Sequence, residues 1–485
     1  MLSLRYILLA SIFFLTNCTP QPEIASPPNI LFCIADDWGW PHAGVYGDTV
    51  VQTPTFDRLA RSGVLFEHAY VSSPSCSPSR GAILTGQDFW RLGEGANLWS
   101  TLDRDQPVYP LLLEEAGYAV GSWRKSWGPG DLKAGGYDSL RPAGPKYPQG
   151  LRQFLAEKEK DQPFCFWFGA SDPHRAYEKG SGAAAGIDPA KVQLPGFYPE
   201  SEEIRSDIAD YYYEVQRFDR EVGEAIQLLD SLGELQNTLI VVTGDHGMPF
   251  PRCKGNLYDM GVRVPLVMHW GTKVKPWQRI PAFVSLTDLA PTFLEMAGVE
   301  VPEQMTGKSL AKLLRSQEDE QSLVPRNHIV FGRERHTPAQ ASPSIAGYPS
   351  RGIRTQDYLY IRNFFPDRWP AGVPDGATHP MNSFADCDNG PTKTYLVENA
   401  DLPTVQPFYA LSFAKRPAEE LYDLAQDPYQ LHNLAQQPNL QTVKEQLALY
   451  LNDALVGSGD PRVVPGQVDF DTLPYRASYE LNGIK

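Results

Sequence analysis

The chain is 485 residues long, with 42% apolar residues and a formal net charge of −15. That length supports one large α/β domain with an appendage, or two to three smaller domains. The acidic balance argues against a nucleic-acid-binding surface, which needs concentrated Lys and Arg, yet it leaves room for a local basic pocket around a small anion.

The first segment reads as an export signal. Arg5 supplies the positive start, and Tyr6 to Leu15 is an apolar run too short to span a bilayer. Leu15-Thr16-Asn17-Cys18 resembles a bacterial lipobox with Cys18 as the lipidated residue, although Asn17 replaces the usual small residue. Simple secretion is the alternative. Thr19 to Pro28 is polar and Pro-rich, as a tether would be. Residues 1–27 are therefore set aside as signal and tether. The expected location is the periplasm or the outer membrane of a Gram-negative bacterium. No later run reaches the roughly 20 apolar residues of a membrane helix, so a lipid at Cys18 is the membrane contact expected. Of the other cysteines, Cys33 and Cys165 sit in apolar runs and read as buried thiols. Cys253 and Cys387 either pair in an oxidising compartment or stay apart.

Four short apolar runs follow: 29–35, 118–122, 163–169 and 238–243. Continuous hydrophobicity over such lengths predicts parallel strands covered on both faces. Thr53-Pro54 predicts a helix start, with Phe56, Leu59 and Ala60 on one face. Residues 207–232 carry Tyr211, Val215, Phe218, Val222 and Ile226 at helical spacing. From about His328 the texture changes to short strands with turns between them, a Gly/Pro/aromatic-rich loop over 347–391, and a closing helix over 440–455. The expectation is an α/β fold. A large, mostly parallel central sheet covered by helices occupies residues 28–345. A smaller antiparallel-sheet subdomain with the closing helix occupies residues 346–485.

Each predicted strand runs straight into polar residues. These are Asp36-Asp37, Arg124-Lys125, Asp172 with His174, and Asp245-His246. Ligands of open parallel sheets bind beyond the carboxyl ends of the strands, so these four loops can converge. Asp36, Asp37, Asp245 and His246 form a candidate cation site whose three carboxylates suit calcium or magnesium. The plainer reading of each pair is a turn or cap carboxylate. In Ser75-Cys76-Ser77-Pro78-Ser79-Arg80-Gly81, Pro78 suits a first helical turn. Cys76 then stands at a helix start, where free N–H groups favour an anion, and Arg80 lies on the same face one turn on. A low-pKa thiol or a buried cysteine is the alternative.

Several of these stretches resemble the type I sulfatases, members of the alkaline phosphatase superfamily. CSPSR followed by GAILTG resembles their formylglycine signature. PNILFCIADDWGW, TPTFDRLARSGVLFEHAYV and GDHGMPFPRCKGNLYDMGVRVPLV resemble their metal strands and adjoining segments, and LYDLAQDPYQLHNLA their C-terminal signature. SDPHR, KSWGPG, FGRERH and YPSRGIRT resemble the branch near heparan N-sulfatase, which also holds bacterial polysaccharide sulfatases. The resemblance implies that a formylglycine-generating or sulfatase-maturating enzyme converts Cys76 to formylglycine. It implies that Asp36, Asp37, Asp245 and His246 bind calcium together with position 76. It gives Arg80, Lys125 and Lys254 the sulfate oxygens and the nucleophile, and places His174 near the leaving oxygen. The substrate implied is a sulfated oligo- or polysaccharide, a glycosaminoglycan or an algal polymer, cut at an O-sulfate or, in a second version, at an N-sulfate.

Two departures stand out. Trp127 occupies the place of a family His two residues after the first lysine, and His246 that of a frequent Asn ligand. Arg175, Arg333, Arg335, His336, Arg351 and Arg354 are candidates for holding a polyanionic sugar, since guanidinium groups grip sulfate in two places; the plainer reading of each alone is a solvated or salt-bridged surface charge. Trp369 is a candidate for stacking on a sugar ring. The competing readings are a phosphate or phosphonate monoester hydrolase of the same superfamily, usually with two transition metals, and a non-catalytic glycan-binding descendant.

Overall fold

The computed structural model describes residues 27–138, 141–315, 326–375, 383–464, 466 and 468–477. The expected export signal and Cys18 lie outside them. The first strands are β1 (Asn29–Ala35), β2 (Val64–Tyr70), β3 (Ala119–Arg124), β4 (Phe164–Gly169), β5 (Thr238–Gly244), β6 (Arg263–His269) and β7 (Gln278–Ser285). They form one sheet in the order β3-β4-β1-β5-β6-β2-β7, in which β6 alone runs against its neighbours. β8 (His328–Arg333), β9 (Ser350–Thr355), β10 (Tyr358–Asn363) and β11 (Glu419–Asp423) form a second, antiparallel sheet in the order β11-β10-β9-β8. The small sheet therefore begins at His328, ahead of the boundary expected at 345.

Strand β1 shows why unbroken apolar runs were needed. Ile30, Phe32 and Ile34 enter one core, and Leu31, Cys33 and Ala35 enter the core on the opposite face. A strand sandwiched between two layers has no solvent side. β1 and β5 lie in register from Asn29 opposite Thr238 to Ala35 opposite Gly244. Their following residues therefore emerge side by side.

The long helix spans Glu202–Ser231, five residues earlier than its periodicity suggested, because Ser201 caps it by accepting from the Ile204 N–H. Its face of Ile208, Tyr211, Val215, Phe218 and Val222 packs into the second core. The Pro54–Ser62 helix starts where expected. The Thr53 hydroxyl, however, donates to Asp57 at 3.1 Å instead of capping, and the first free N–H groups, of Thr55 and Phe56, donate to Asp219 on the long helix at 2.9 and 2.8 Å. The closing helix, Gln441–Gly457, packs Leu447, Leu451 and Leu455 beneath the small sheet with Ile353 and Tyr360. Among the described residues no helix is long and apolar enough to cross a membrane.

Candidate active site

The Cys76–Thr85 helix is buried along its whole length. Its cap residue Ser75 is extended, and its hydroxyl bonds His336 Nδ1 at 2.8 Å instead of capping the helix. The Ser79 hydroxyl donates to the Asp245 carbonyl at 2.5 Å, which ties this helix to the end of β5. Cys76 Sγ then lies 3.2 Å from His246 Nε2 and 3.6 Å from Asp36 Oδ1.

Asp37 takes a left-handed backbone (φ 75°) just beyond β1. Such a conformation costs a non-glycine residue on the order of 1–3 kcal/mol. Here its N–H donates to Asp245 Oδ1 at 2.9 Å, which holds the turn in place. Arg124 is also left-handed (φ 54°) and turns Lys125 inward. Gly169, at the end of β4, lets the Lys125 carbonyl pass where a Cβ would collide with it.

Acceptors converge in the centre. Asp37, Cys76 and His246 offer donor atoms within 4.8 Å of one another, as do Asp36, Cys76 and Asp245. Asp37 Oδ1 is buried and accepts no hydrogen bond. His246 Nδ1 faces the Gly247 carbonyl at 3.0 Å, and its Nε2 points at Asp37 Oδ1, 3.2 Å away. With its Nδ1–H donated to that carbonyl, Nε2 turns a lone pair to the cluster. Carboxylate oxygens and an imidazole nitrogen converging in this way are a donor set that fits a cation, and three carboxylates fit a hard one.

Three side-chain cations surround this cluster. Arg80 donates from Nε to Asp245 Oδ2 at 2.7 Å and from a terminal nitrogen to the Lys125 carbonyl at 2.7 Å, and reaches Asp36 at 3.5 Å. Lys125 Nζ bonds both Asp36 oxygens at 2.7 and 2.6 Å. Lys254 Nζ bridges Asp37 Oδ2 at 2.9 Å and Asp388 Oδ2 at 3.0 Å. Burial resists ionisation of Asp36, but Lys125 and Arg80 outweigh it and hold that carboxyl well below its usual range. Burial likewise opposes the charge on Lys254, and Asp37 and Asp388 overcome it, holding the ammonium well above its usual range. Burial pushes the Cys76 thiol up, against the pull of Lys125 and Lys254, so the sulfur is not a ready thiolate. His174 Nε2 stands 3.9 Å from Asp37 Oδ2, and its side chain is 38% exposed, at the mouth of the site.

Asp388 joins this group without any sequence expectation. Its carboxylate, His174 and Asp37 converge within 4.8 Å. It lies in the Gly/Pro/aromatic-rich loop over 347–391, and its partner Lys254 is 134 residues away. The Asp386-Cys387-Asp388 run was the only available hint.

The candidate sugar-holding arginines are not free. Arg175 forks onto Asp207 with two bonds of 2.8 Å. Arg351 is fully buried between Asp460 at 2.5 Å and Glu334 at 2.8 Å. Arg354 pairs with Asp259 at 3.2 Å and Arg333 with Asp386 at 2.7 Å. Arg335 donates to the carbonyls of Ile345, Leu473 and Pro474, and burial pushes its guanidinium down to about 10. The expectation that these five grip substrate is corrected on this ground: each guanidinium is already engaged by a carboxylate or by backbone carbonyls of the protein. His336 borders the site through Ser75, and burial pushes it down to about 3, leaving it neutral. Trp369 is half-buried, with the Lys415 ammonium 5.3 Å from its ring centroid. Trp127 packs in the first core beside Gly81 of the Cys76 helix, its buried Nε1 without a hydrogen-bond partner. Cys253 and Cys387 are free thiols.

Residues 28–299 match the sulfatase family, and residues 244–373 match the C-terminal region of N-sulphoglucosamine sulphohydrolase. The chain is 30% identical to N-sulphoglucosamine sulphohydrolase of Homo sapiens over 475 residues, covering 87% of this chain and 90% of that protein. It is 28% identical to an ulvan-active sulfatase of Formosa agariphila over 462 residues, covering 90% and 82%. A solved structure described as a complex with its substrate D-glucosamine-2-N,6-O-disulfate superposes with a TM-score of 0.61 at 19% identity, covering 90% of this chain and 99% of that one. That likeness establishes the shared alkaline-phosphatase-like fold. The chain is a type I sulfatase, on the branch near N-sulphoglucosamine sulphohydrolase and bacterial polysaccharide sulfatases.

Proposed function

We propose that this sulfatase removes O-sulfate from a sulfated carbohydrate, using an aldehyde formed from Cys76 and a bound calcium ion. The observation that carries the reading is Cys76 at a buried helix start, with acceptors from Asp36 and His246 against its sulfur and Arg80, Lys125 and Lys254 around the same centre. A neutral sulfur ringed by acceptors fits a hydroxyl-bearing group in its place, since such a group donates where the acceptors stand. A formylglycine hydrate at position 76 would supply an oxygen nucleophile for covalent catalysis and a second hydroxyl beside it. Calcium held by Asp36, Asp37, Asp245 and His246 supplies charge that stabilises the nucleophile and the sulfate oxygens.

The protein's own groups do the rest. Arg80, Lys125 and Lys254 present fixed positive charge where the transferring sulfuryl group spreads its negative charge. In a dry site such preorganised charge is usually the largest catalytic contribution. His174 sits at the mouth with Nε2 inward and Nδ1 held by the Arg175 carbonyl at 2.5 Å, so it is placed to hand a proton to the departing sugar oxygen. Lys254 also bears on the phosphate-hydrolase alternative. Its ammonium already lies between Asp37 and Asp388, where a second metal ion would need those carboxylates.

The names of the relatives support a glycan substrate, and the human relative keeps N-desulfation as the second version. The test is release of inorganic sulfate from O- and N-sulfated oligosaccharides by matured protein. Maturation is read as a loss of about 18 Da from the Cys76 peptide. Aldehyde-bearing protein that frees no sulfate from any of them would falsify the proposal. Export and lipidation at Cys18 belong to the same reading. They predict that Cys18→Ser protein leaves the membrane fraction and loses acyl-chain labelling; unchanged labelling sinks the anchor.

A further inference from the structure

We infer that Asp388 is a specificity-determining residue: its carboxylate accepts a hydrogen bond from a hydroxyl or ammonium group beside the scissile sulfate, and it disfavours sugars that carry a second anion there. The inference rests on the sulfatase reading and names the chemistry next to the reacting group.

Three observations carry it. Asp388 stands where a sugar must enter. Its side chain is 27% exposed, next to the half-exposed His174, whereas Asp37, Asp245 and Arg80 are sealed below. The donor atoms of Asp37, His174 and Asp388 lie within 4.8 Å of one another, so whatever bears the leaving oxygen at His174 also meets Asp388. Second, Lys254 engages Oδ2 at 3.0 Å and thereby tethers that oxygen of the carboxylate. A carboxylate has about four acceptor positions, and one ammonium contact leaves capacity for a substrate donor.

Third, the cations that could neutralise another anion at this mouth are committed. Lys254 is shared between two carboxylates, Lys125 is on Asp36, Arg175 on Asp207 and Arg333 on Asp386. A second sulfate or a uronate carboxylate next to the reacting sulfate would face Asp388 with these four cations already engaged by carboxylates. Juxtaposed like charges cost several kcal/mol in a partly dry site. The polyanion recognition expected from the abundance of arginines is thus replaced, beside the reacting group, by selection for hydrogen-bond donors.

The experiment uses full-length Cys76→Ala protein with calcium, which binds without turnover. The probes are methyl glycosides carrying one sulfate, each matched to the same glycoside with a second sulfate on the adjacent carbon. Calorimetry on the pairs is expected to show the monosulfate binding at least about tenfold tighter, and Asp388→Asn in the same background to shrink that ratio to within about threefold. The isosteric amide keeps an acceptor for Lys254, and its melting temperature reports folding. Equal or tighter binding of the disulfates, or no binding of either, overturns the inference without need of the variant. So does a ratio that Asp388→Asn leaves unchanged. Should matured wild-type protein free no sulfate from these glycosides while the Asp388-dependent ratio persists, the hydrolytic reading falls and the recognition role stands.

Discussion

Arg80 donates from Nε to Asp245 Oδ2 at 2.7 Å, and neither side chain touches solvent. Burial opposes the guanidinium charge, and Asp245 and Asp36 more than restore it. The pair therefore joins the Cys76 helix to the end of β5 as well as facing the reaction. Arg80→Ala strips the buried Asp245 carboxylate of its side-chain cation, while Asp36 keeps Lys125, and costs about 3–5 kcal/mol. It also removes a fixed charge worth about 10²–10³ in kcat. Thermal melts and sulfate-release rates check both. Arg80→Lys is expected to recover part of the stability and little of the rate, since the planar fork is lost. Full activity in Arg80→Ala would remove Arg80 from the chemistry.

If the acceptor cluster around Asp37 holds calcium as proposed, stability is linked to that cation. A ligand that binds only the folded state stabilises it by about 1.4 kcal/mol for each tenfold rise in concentration above its Kd. Melting temperature should climb with added calcium and fall on chelation. Asp37→Asn should blunt the response, because Asp37 Oδ1 is the buried oxygen left without a hydrogen bond. An identical melting temperature with calcium and with chelator would sink the calcium assignment.

Arg351 separates stability from recognition. It sits fully buried between Asp460 and Glu334. Arg351→Met should therefore lower stability by about 3–5 kcal/mol, because it leaves the buried Asp460 carboxylate without its side-chain cation while Arg462 still answers Glu334 at 2.6 Å. KM for a sulfated sugar should hold within about threefold at a temperature where the variant is folded. A tenfold rise in KM with little loss of stability would reinstate Arg351 as a substrate contact.

Glu214 gives a pH signature. Burial first, and then the neighbouring Asp172, push its carboxyl up to about 7, while Arg217 at 2.6 Å pulls the other way. A carboxyl raised on folding binds its proton more tightly in the folded state. Its contribution to stability is therefore present below its ordinary range, near 4.5, and is lost as pH rises through about 7. Glu214→Gln should melt higher than wild type at pH 8, with the gap closing towards pH 5. A gap that is constant or widens on acidification would refute the assignment.

The centre of the site was legible in the sequence because its chemistry follows its strands directly. Asp36-Asp37 and Asp245-His246 abut unbroken apolar runs, and Cys76 opens a helix that Pro78 marks. What surrounds the centre was not. An arginine in a sequence shows its charge but not its partner. Arg333, Arg351 and Arg354 stayed candidates for the substrate because the sequence could not name their partners, Asp386, Asp460 and Asp259, which lie 53, 109 and 95 residues away. Asp388 was hidden for the same reason, in a loop without periodicity. β2, β6 and β7 escaped notice as strands because Glu67 with His68, Pro265 and Pro281 interrupt their apolar runs.

The alignment of Ala35 with Gly244 carries a tolerance rule. Inserting or deleting one residue within β1 or β5 would turn Asp36 or Asp245 to the other face of the sheet, dismantling the catalytic centre while leaving every one of its side chains in the polypeptide. A loop can take up an added residue by changing its path, whereas a strand paired on both edges cannot.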